Sequence, residues 1–151
     1  MSDLDKTDRH ILSILETQGR IAFAELAEQV GLSKTPCWNR VKVLQKTGLI
    51  SGYSANVNHQ MLGLNIQAVI HVVVDFTQSE AFEDAMLVHK HVMSCLAVTG
   101  DYDYVLKVIA HNVPELDSLL RKDLSRLPGV TRFSTAIATR SIKDSCKLSE
   151  I

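Results

Sequence analysis

Basic and amide side chains recur at helical spacing in the segment GLSKTPCWNRVKVLQKTG, from Gly31 to Gly48. From Ser33 to Lys46 there are four basic residues and no acidic one. At 3.6 residues per turn, the predicted helix has one polar and one apolar face. The polar face carries Thr35, Asn39, Lys42 and Lys46, and the apolar face carries Cys37, Val41 and Leu44. Because lysines bind phosphates and asparagine can pair with adenine, this pattern is typical of a helix in a DNA major groove.

Residues that favour the start and the end of an α-helix flank this segment. Ser33 can cap the first turn through its hydroxyl, and Pro36 falls within that turn, where a missing N–H costs little. Gly48 follows the last periodic residue and favours a left-handed C-cap. A surface helix with solvated lysines shows the same features, so the preceding segment has to decide between the two interpretations.

The preceding segment predicts two further short helices. Apolar residues at i, i+3, i+4 and i+7 run from Phe23 to Val30, although residues 21–23 offer no good cap for this helix. Asp5 can cap an earlier helix that extends to about Gln18. Three short helices, the last two joined by a tight turn at Gly31, predict a helix-turn-helix unit and favour the DNA interpretation.

Composition limits the classes of protein that the chain can belong to. Its 151 residues are 46% apolar, which is normal for a globular protein. No apolar run reaches the roughly 18 to 20 residues that span a bilayer, and the charged N-terminus lacks a signal core. We therefore expect a cytoplasmic, nucleoid-associated protein without a membrane partner. Three widely spaced cysteines predict reduced thiols and no metal site.

Charge is distributed unevenly along the chain, whose net charge is −1. Residues 1–60 carry seven basic and six acidic groups, a balance of +1, whereas residues 61–151 carry nine and eleven, a balance of −2. The local distribution matters more for DNA binding than the sum does. A DNA-binding head on a mildly acidic body fits this asymmetry.

Residues 64–151 predict an α+β body. Apolar residues alternate from Ile66 to Phe76, which predicts a strand with one buried face. The elements expected after it are a helix from Ser79, strands at about 93–99 and 102–111, a helix with a leucine stripe over 116–127 that Asn112 and Glu115 cap, and a strand from Val130 to about Thr139. The order strand, helix, strand, strand, helix, strand is that of a ferredoxin-like βαββαβ domain.

The sheet face that the helices leave uncovered is expected to be apolar as well. The side chains predicted to point there are Val69, Val73, Val105 and Ile109. Such a face is typical of a contact with another subunit, and helix-turn-helix units usually act as two-fold dimers. A partly exposed β-branched face is the alternative.

Several segments together resemble the Lrp/AsnC family, the leucine-responsive and asparagine-related transcription regulators of bacteria and archaea. They are Leu4 to Asp8, the Ser-x-Thr-Pro-Cys motif from Ser33, Arg40-Val41, Ile50-x-Gly52-Tyr53, TGDYDY from Thr99, and Leu127 to Val130. The resemblance implies a winged helix-turn-helix DNA-binding head in residues 1–50, a wing and linker in 51–63, and a ferredoxin-like (RAM-type) effector-binding and oligomerisation domain in 64–151. It also implies a homodimer that assembles to a tetramer or octamer.

By position in this family, the recognition helix runs from Lys34 to about Lys46. The residues expected to contact double-stranded DNA are Lys34, Thr35, Trp38, Asn39, Lys42 and Lys46. Thr35 and Asn39 are short enough to read base edges, and the lysines are expected to bind phosphates. Trp38 can either contact the sugar backbone or cover the core. Arg40 and Cys37 lie nearer the core and are expected to be structural.

The resemblance also places an amino acid effector at the segment TGDYDY. The residues expected to line the site are Thr99, Gly100, Asp101, Asp103, Tyr104, Ser134 and Ala136. The two aspartates would accept from the ammonium, and backbone N–H groups near Gly100 would meet the carboxylate. Gly-Asp is also an ordinary hairpin turn. Arg140 and Ser141 stand where leucine-responsive members typically carry acidic residues, which argues against a simple copy of leucine sensing.

We therefore predict a sequence-specific DNA-binding transcriptional regulator whose DNA binding or assembly is modulated by a free amino acid. An architectural DNA-binding protein with low sequence preference is the alternative. An enzyme is not expected, because the sequence has no Gly-rich phosphate loop, nucleophile motif or ligand cluster with metal spacing, and no cofactor is implied. An amino acid sensor without DNA activity would leave the basic helix unexplained.

Overall fold

The apolar residues of the chain collect into two separate cores. The computed structural model describes residues 4–143 and 145–151, which form two compact units. One unit comprises residues 4–56 with 143 and 145–151, and the other comprises 57–142. Each unit has its own cluster of buried side chains, which is the usual mark of a domain. The last residues group with the N-terminal unit, whereas the sequence had placed all of 64–151 in the body.

Three helices build the N-terminal unit: α1 (Lys6–Leu15), α2 (Phe23–Gln29) and α3 (Lys34–Lys46). Asp5 caps α1 as predicted, because its carboxylate accepts from the N–H of Asp8 at 2.7 Å. α1 ends before the expected Gln18. α2 begins after Ala22, which makes no side-chain cap, in line with its weak start.

The start of α3 differs in one respect from the prediction. Ser33 occupies the N-cap position, but its hydroxyl makes no capping hydrogen bond, so the predicted cap interaction was wrong. Gly31 and Gly48 have φ of 69° and 78°, the left-handed region that glycine adopts without strain. These two residues therefore form the turn before α3 and the stop after it, as expected.

The core of the N-terminal unit consists of Ile11, Ile14, Leu26, Ala27, Cys37, Val41 and Leu44. The last three belong to α3 and confirm its predicted apolar face. The segment LISGYSANVN after Gly48 is extended and rich in turn residues, which predicts one or two short strands, but residues 49–57 form no strand. A strand needs a hydrogen-bonded neighbour, and all four strands of the sheet lie in the other unit.

The second unit is a four-stranded antiparallel sheet with helices on one face. Its elements are β1 (Ile66–Val74), α4 (Ser79–Val88), β2 (Val92–Ala97), β3 (Tyr104–Ala110), α5 (Val113–Ser118) and β4 (Val130–Ile137). The strand order is β2-β3-β1-β4. The predicted α+β class and βαββαβ order are confirmed. Buried side chains from β1, β3 and the helices, with Phe82 and Leu106 fully enclosed, make the core.

Two details of this unit depart from the sequence pattern. Phe76 was expected to continue the buried face of β1, but it begins a 3₁₀ turn and is 86% exposed. The expected long second helix is interrupted, because α5 continues as a π-helical turn (Leu119–Asp123) and a 3₁₀ turn (Leu124–Arg126).

The cap of α5 is only half of the predicted capping box. Asn112 caps it through a bond from the N–H of Glu115 at 2.9 Å. The Glu115 carboxylate, however, accepts from the N–H of His111 rather than from the N–H of Asn112, so the reciprocal bond of a capping box is not made.

The other face of the sheet, here called the open face, is defined by strand register. Gln67 pairs with Ile109, Val69 with Lys107, and His71 with Val105, while alternate residues enter the core. Val69, Val73, Val105 and Ile109 therefore point away from the helices, as predicted. On β4, Arg132, Ser134 and Ala136 share this face, because they pair with Val73, His71 and Val69.

Candidate DNA interface and effector site

The predicted DNA-contacting side chains all lie on the outside of α3. Lys34, Thr35, Trp38, Asn39, Lys42 and Lys46 are exposed, whereas the opposite side of the helix enters the core. No acidic residue lies on α3, and none of its three lysines forms a salt bridge with the described residues. The helix thus presents uncompensated positive charge beside hydroxyl and amide groups, which suits phosphates and base edges.

Trp38 lies on the surface and is absent from the core cluster. Its side chain is 44% exposed, and the Lys42 Nζ lies 5.4 Å from its ring centroid. This distance is that of a cation–π contact, which holds the lysine near the outer side of the helix. Of the two roles open for Trp38, the geometry supports a surface contact.

Arg40 is held by the N-terminal helix. Its Nη1 donates to Oδ2 of Asp5 at 2.7 Å and to Oδ1 of Asp8 at 2.8 Å. A hydrogen bond from the N–H of Asp8, and then the bond from Arg40, hold the pKa of Asp5 below its ordinary value. Two carboxylates neutralise this guanidinium, so Arg40 orients α3, as the sequence indicated.

Cys37 lies in the core with no exposed surface, and burial raises the pKa of its thiol. A neutral, enclosed thiol reacts slowly, which fits the structural role expected for it. Within residues 4–143 and 145–151, no group of three or more His, Cys, Asp and Glu side chains is arranged to hold a metal ion. None of the helices described is both long and apolar enough to cross a bilayer.

Val43 is an exposed residue of α3 that the sequence reasoning passed over. It is 58% exposed and follows Asn39 by one helical turn. A signal for it was present, because position 43 lies about 70° from the centre of the polar face on a helical wheel, outside the apolar stripe. It places an exposed apolar side chain on α3 beside the predicted base-reading residues.

The predicted effector residues divide between the hairpin that joins β2 to β3 and the edge strand β4. In the hairpin, Asp103 is already engaged, since its Oδ2 accepts from the N–H of Val74 at 2.9 Å. Its own N–H donates to the carbonyl of Val72, also at 2.9 Å, and its carbonyl accepts from Val98 at 2.8 Å. Asp103 therefore fixes the hairpin to β1. Asp101 is exposed, and its carboxylate forms no hydrogen bond or ion pair with the residues that the structure describes.

Tyr104 is the one predicted effector residue that faces the helices. It is 6% exposed, and its hydroxyl donates to Oε1 of Glu83 at 2.6 Å. This hydrogen bond, with burial and the nearby charge of Glu83, raises the pKa of Tyr104 to about 12. Ser134 and Ala136 lie on the open face, so the structure does not bring Tyr104 together with them.

A cluster on the open face was missed by the sequence reasoning. The Arg132 Cζ lies 5.1 Å from the ring centroid of Tyr102, and its Nη2 donates to the carbonyl of Asp101 at 3.3 Å. The ring of His71 lies 5.1 Å from that of Tyr102. Only the register of β1 and β4 brings these residues beside Ser134 and the hairpin, so no local motif could have found them.

Comparison with known proteins agrees with this arrangement over the whole chain. Residues 4–51 match the family model of a winged helix-turn-helix DNA-binding domain, and residues 67–148 match that of the Lrp/AsnC ligand-binding domain. The leucine-responsive regulatory proteins of Salmonella typhimurium and Escherichia coli are each 36% identical over 149 residues, which cover 97% of this chain and 91% of the relative.

Solved structures show the same fold. A transcriptional regulator from Neisseria meningitidis, crystallised as an L-Met complex, superposes with a TM-score of 0.92 at 31% identity and covers 96% of both chains. AsnC of E. coli gives a TM-score of 0.83 at 25% identity, over 95% of this chain and 97% of its own. With its outward-facing basic helix and its ligand-binding βαββαβ unit, the chain belongs to the Lrp/AsnC family of DNA-binding transcriptional regulators, whose DNA binding is modulated by an effector.

Proposed function

We propose that this regulator reads specific DNA sequences through Lys34, Thr35, Trp38, Asn39, Lys42 and Lys46. The observation that carries the proposal is the outer side of α3, where all six side chains are exposed and the lysines lack acidic partners among the described residues. Asn39 and Thr35 are the base-reading residues, and the lysines bind phosphates. A two-fold dimer would place two such helices about 34 Å apart on a pseudo-palindromic site.

A gel-shift titration separates specific reading from architectural binding. The labelled fragment is the DNA upstream of the protein's own gene, and the competitor is the same fragment with its sequence shuffled. For a specific regulator, displacing the labelled fragment should require at least ten times more shuffled competitor than unlabelled native fragment. Equal competition would support the architectural alternative, and no binding to either fragment would contradict the DNA-contact proposal.

The effector is a free amino acid that binds at the hairpin between β2 and β3 together with β4. Both segments fall within the ligand-binding family match, and the Neisseria regulator that this chain resembles was crystallised with L-Met. Thr99, Gly100 and Asp101 form the hairpin side of the site, and Ser134 and Ala136 form the strand side. Asp103 supports the hairpin, and Tyr104 supports it from the core.

Such an effector acts through its different affinities for competing assemblies of the protein. The assembling unit is a homodimer formed through the open face, which associates further to a tetramer or octamer in the cytoplasm. Light scattering with and without each amino acid tests this, and a monomer at micromolar concentration would contradict it. Isothermal titration with the twenty amino acids tests binding, and no heat at millimolar levels would overturn the effector proposal.

A further inference from the structure

Arg132 links strand β4 to a hairpin that belongs to the opposite half of the sheet. In the order β2-β3-β1-β4, the hairpin joins the first two strands, whereas Arg132 lies on the last. Its guanidinium crosses the open face, donates to the carbonyl of Asp101 and lies over the ring of Tyr102. Arg132 thus brings a positive charge to the hairpin of the proposed effector site.

This charge has no acidic partner. Each salt bridge found within residues 4–143 and 145–151 involves other residues, and Arg132 is exposed. No other cationic side chain of the described residues hydrogen-bonds to the hairpin or lies over its aromatic ring. Asp101 is exposed on the same hairpin, and its carboxylate forms no hydrogen bond or ion pair with the described residues. The carboxylate of Asp103, in contrast, accepts from the N–H of Val74. Among the described residues, one cation and one anion, each without a charged partner, therefore lie at the same end of the sheet.

A free amino acid carries a carboxylate and an ammonium group, and needs a partner for each. Guanidinium is a planar fork that donates two parallel bonds to a carboxylate, and contact with an aromatic ring holds its plane. We propose that Arg132, oriented by Tyr102, binds the carboxylate of the amino acid effector while Asp101 accepts from its ammonium. This inference rests on the proposed effector function and names the group that recognises the ligand.

The competing explanation is that Arg132 merely holds the hairpin in place. Ligand chemistry separates the two roles. A structural role would weaken every ligand by the same factor, whereas a carboxylate partner should weaken only ligands that carry a carboxylate. The matched pair is an amino acid and its C-terminal amide, which keep the same side chain and ammonium group.

The test is isothermal titration of Arg132→Gln with the tightest-binding of the twenty amino acids and with the amide of that amino acid. Glutamine can still donate to the Asp101 carbonyl, so the hairpin keeps a tether while the charge is lost. Lys122→Gln is the control, because Lys122 is an exposed lysine of the same unit that lies outside the open face. Thermal melts of both variants establish that they fold.

In the wild type, the acid should bind about ten- to a hundredfold more tightly than the amide, the range for a charged hydrogen bond. Arg132→Gln should abolish this preference, and Lys122→Gln should retain it. The inference is overturned if Arg132→Gln keeps the preference for the acid or weakens acid and amide equally. If the wild type binds none of the twenty amino acids, the effector proposal itself fails. If it binds one without preferring acid to amide, only the carboxylate partner is wrong.

Discussion

Nη1 of Arg40, in the middle of α3, lies 2.8 Å from Oδ1 of Asp8 in the first turn of α1. The same nitrogen also reaches the carboxylate of the residue that caps that helix, Asp5, at 2.7 Å. The guanidinium of Arg40 therefore connects the first turn of α1 to the middle of α3. Together with the shared core, this contact fixes how α3 and its proposed DNA-facing side lie against α1.

Replacing Arg40 should weaken the N-terminal unit without removing any proposed DNA contact. Arg40→Ala should lower the free energy of unfolding by about 1 kcal/mol, because the pair is partly exposed and solvent screens it. Urea denaturation would measure this loss. Arg20→Ala, an exposed arginine in the same unit with no recorded salt bridge, is the control and should change stability by less than about 0.5 kcal/mol.

The same pair predicts a loss of stability in acid. The pKa of Asp5 is lower in the folded chain than its ordinary value, so its contribution is present above that ordinary value and is lost as the pH falls through the folded value. In Arg40→Ala, the free energy of unfolding, measured by urea denaturation, should therefore fall less steeply as the pH is lowered. An unchanged pH dependence would show that the N–H of Asp8 alone keeps the Asp5 carboxylate charged.

Asn39 and Lys42 should give different signatures when each is replaced by alanine. Asn39→Ala should cost about 1–3 kcal/mol on the specific site and relax the preference at one base pair. Lys42→Ala should weaken binding to all sequences and make the slope of log affinity against log salt shallower by about 1. If six phosphates are contacted, the wild-type slope is about −5.

Gel shifts at four salt concentrations, on the native site and on sites with single base changes, measure both signatures. Lys122→Ala, which removes an exposed lysine from the second unit, is the control for net charge. Native affinity in both folded variants would contradict the assignment of α3 as the recognition helix.

Tyr104 should make the second unit sensitive to strong alkali. Its pKa is raised to about 12, chiefly by the hydrogen bond to Glu83, so the neutral phenol is favoured in the folded chain. The stabilisation is therefore complete below the ordinary pKa of 10 and is lost as the pH rises towards 12. Melting temperatures across this interval should fall in the wild type and fall less in Tyr104→Phe.

Tyr53→Phe, in the other unit, serves as the control for this alkaline effect, since it leaves the Tyr104 hydrogen bond in place. If the melting temperature of Tyr104→Phe fell with rising pH as much as that of the wild type, another group would be the cause.

The C-terminal tail should stabilise the N-terminal unit through Glu16. This carboxylate accepts from the N–H of Leu148 at 2.7 Å and from the hydroxyl of Ser149 at 2.5 Å, and the bond from Ser149 is the main reason that the pKa of Glu16 is lowered. Glu16→Gln should lower stability by less than about 1 kcal/mol because the site is open to solvent. Removal of residues 143–151 should have a larger effect.

Faster hydrogen exchange of the α1 amides would report the loss of stability in Glu16→Gln and in the variant that lacks residues 143–151. Glu28→Gln, a matched change of an exposed glutamate on α2, should leave exchange in α1 unchanged. Unchanged protection of α1 after the tail is removed would show that the tail contacts contribute nothing to the unit.

Local patterns were sufficient to locate the three helices of the first unit and the βαββαβ order of the second, since a periodic run of apolar residues marks each element. The outer side of α3 could be read from a 3.6-residue period, and the buried face of β1 from a period of two. They were insufficient where a partner decides the outcome. Ser33 has the residue type of a cap and makes no cap bond, and Phe76 leaves the sheet at a 3₁₀ turn.

By itself, the amino-acid sequence determined the order of the elements and the basic side of α3, because periodicity, capping residues and charge are properties of short segments. Its motifs also carried the resemblance to the Lrp/AsnC family. Only the tertiary structure decided that Tyr104 faces the helices, that Asp103 is held by Val74, and that Arg132 reaches the hairpin. Those relationships depend on which strands pair and in what register, and the register of β1 with β3 and β4 joins residues that are between 32 (Val72 with Tyr104) and 69 (Ala68 with Ile137) positions apart in the chain. A shift of one residue would exchange the two faces of the sheet and with them the groups available to an effector.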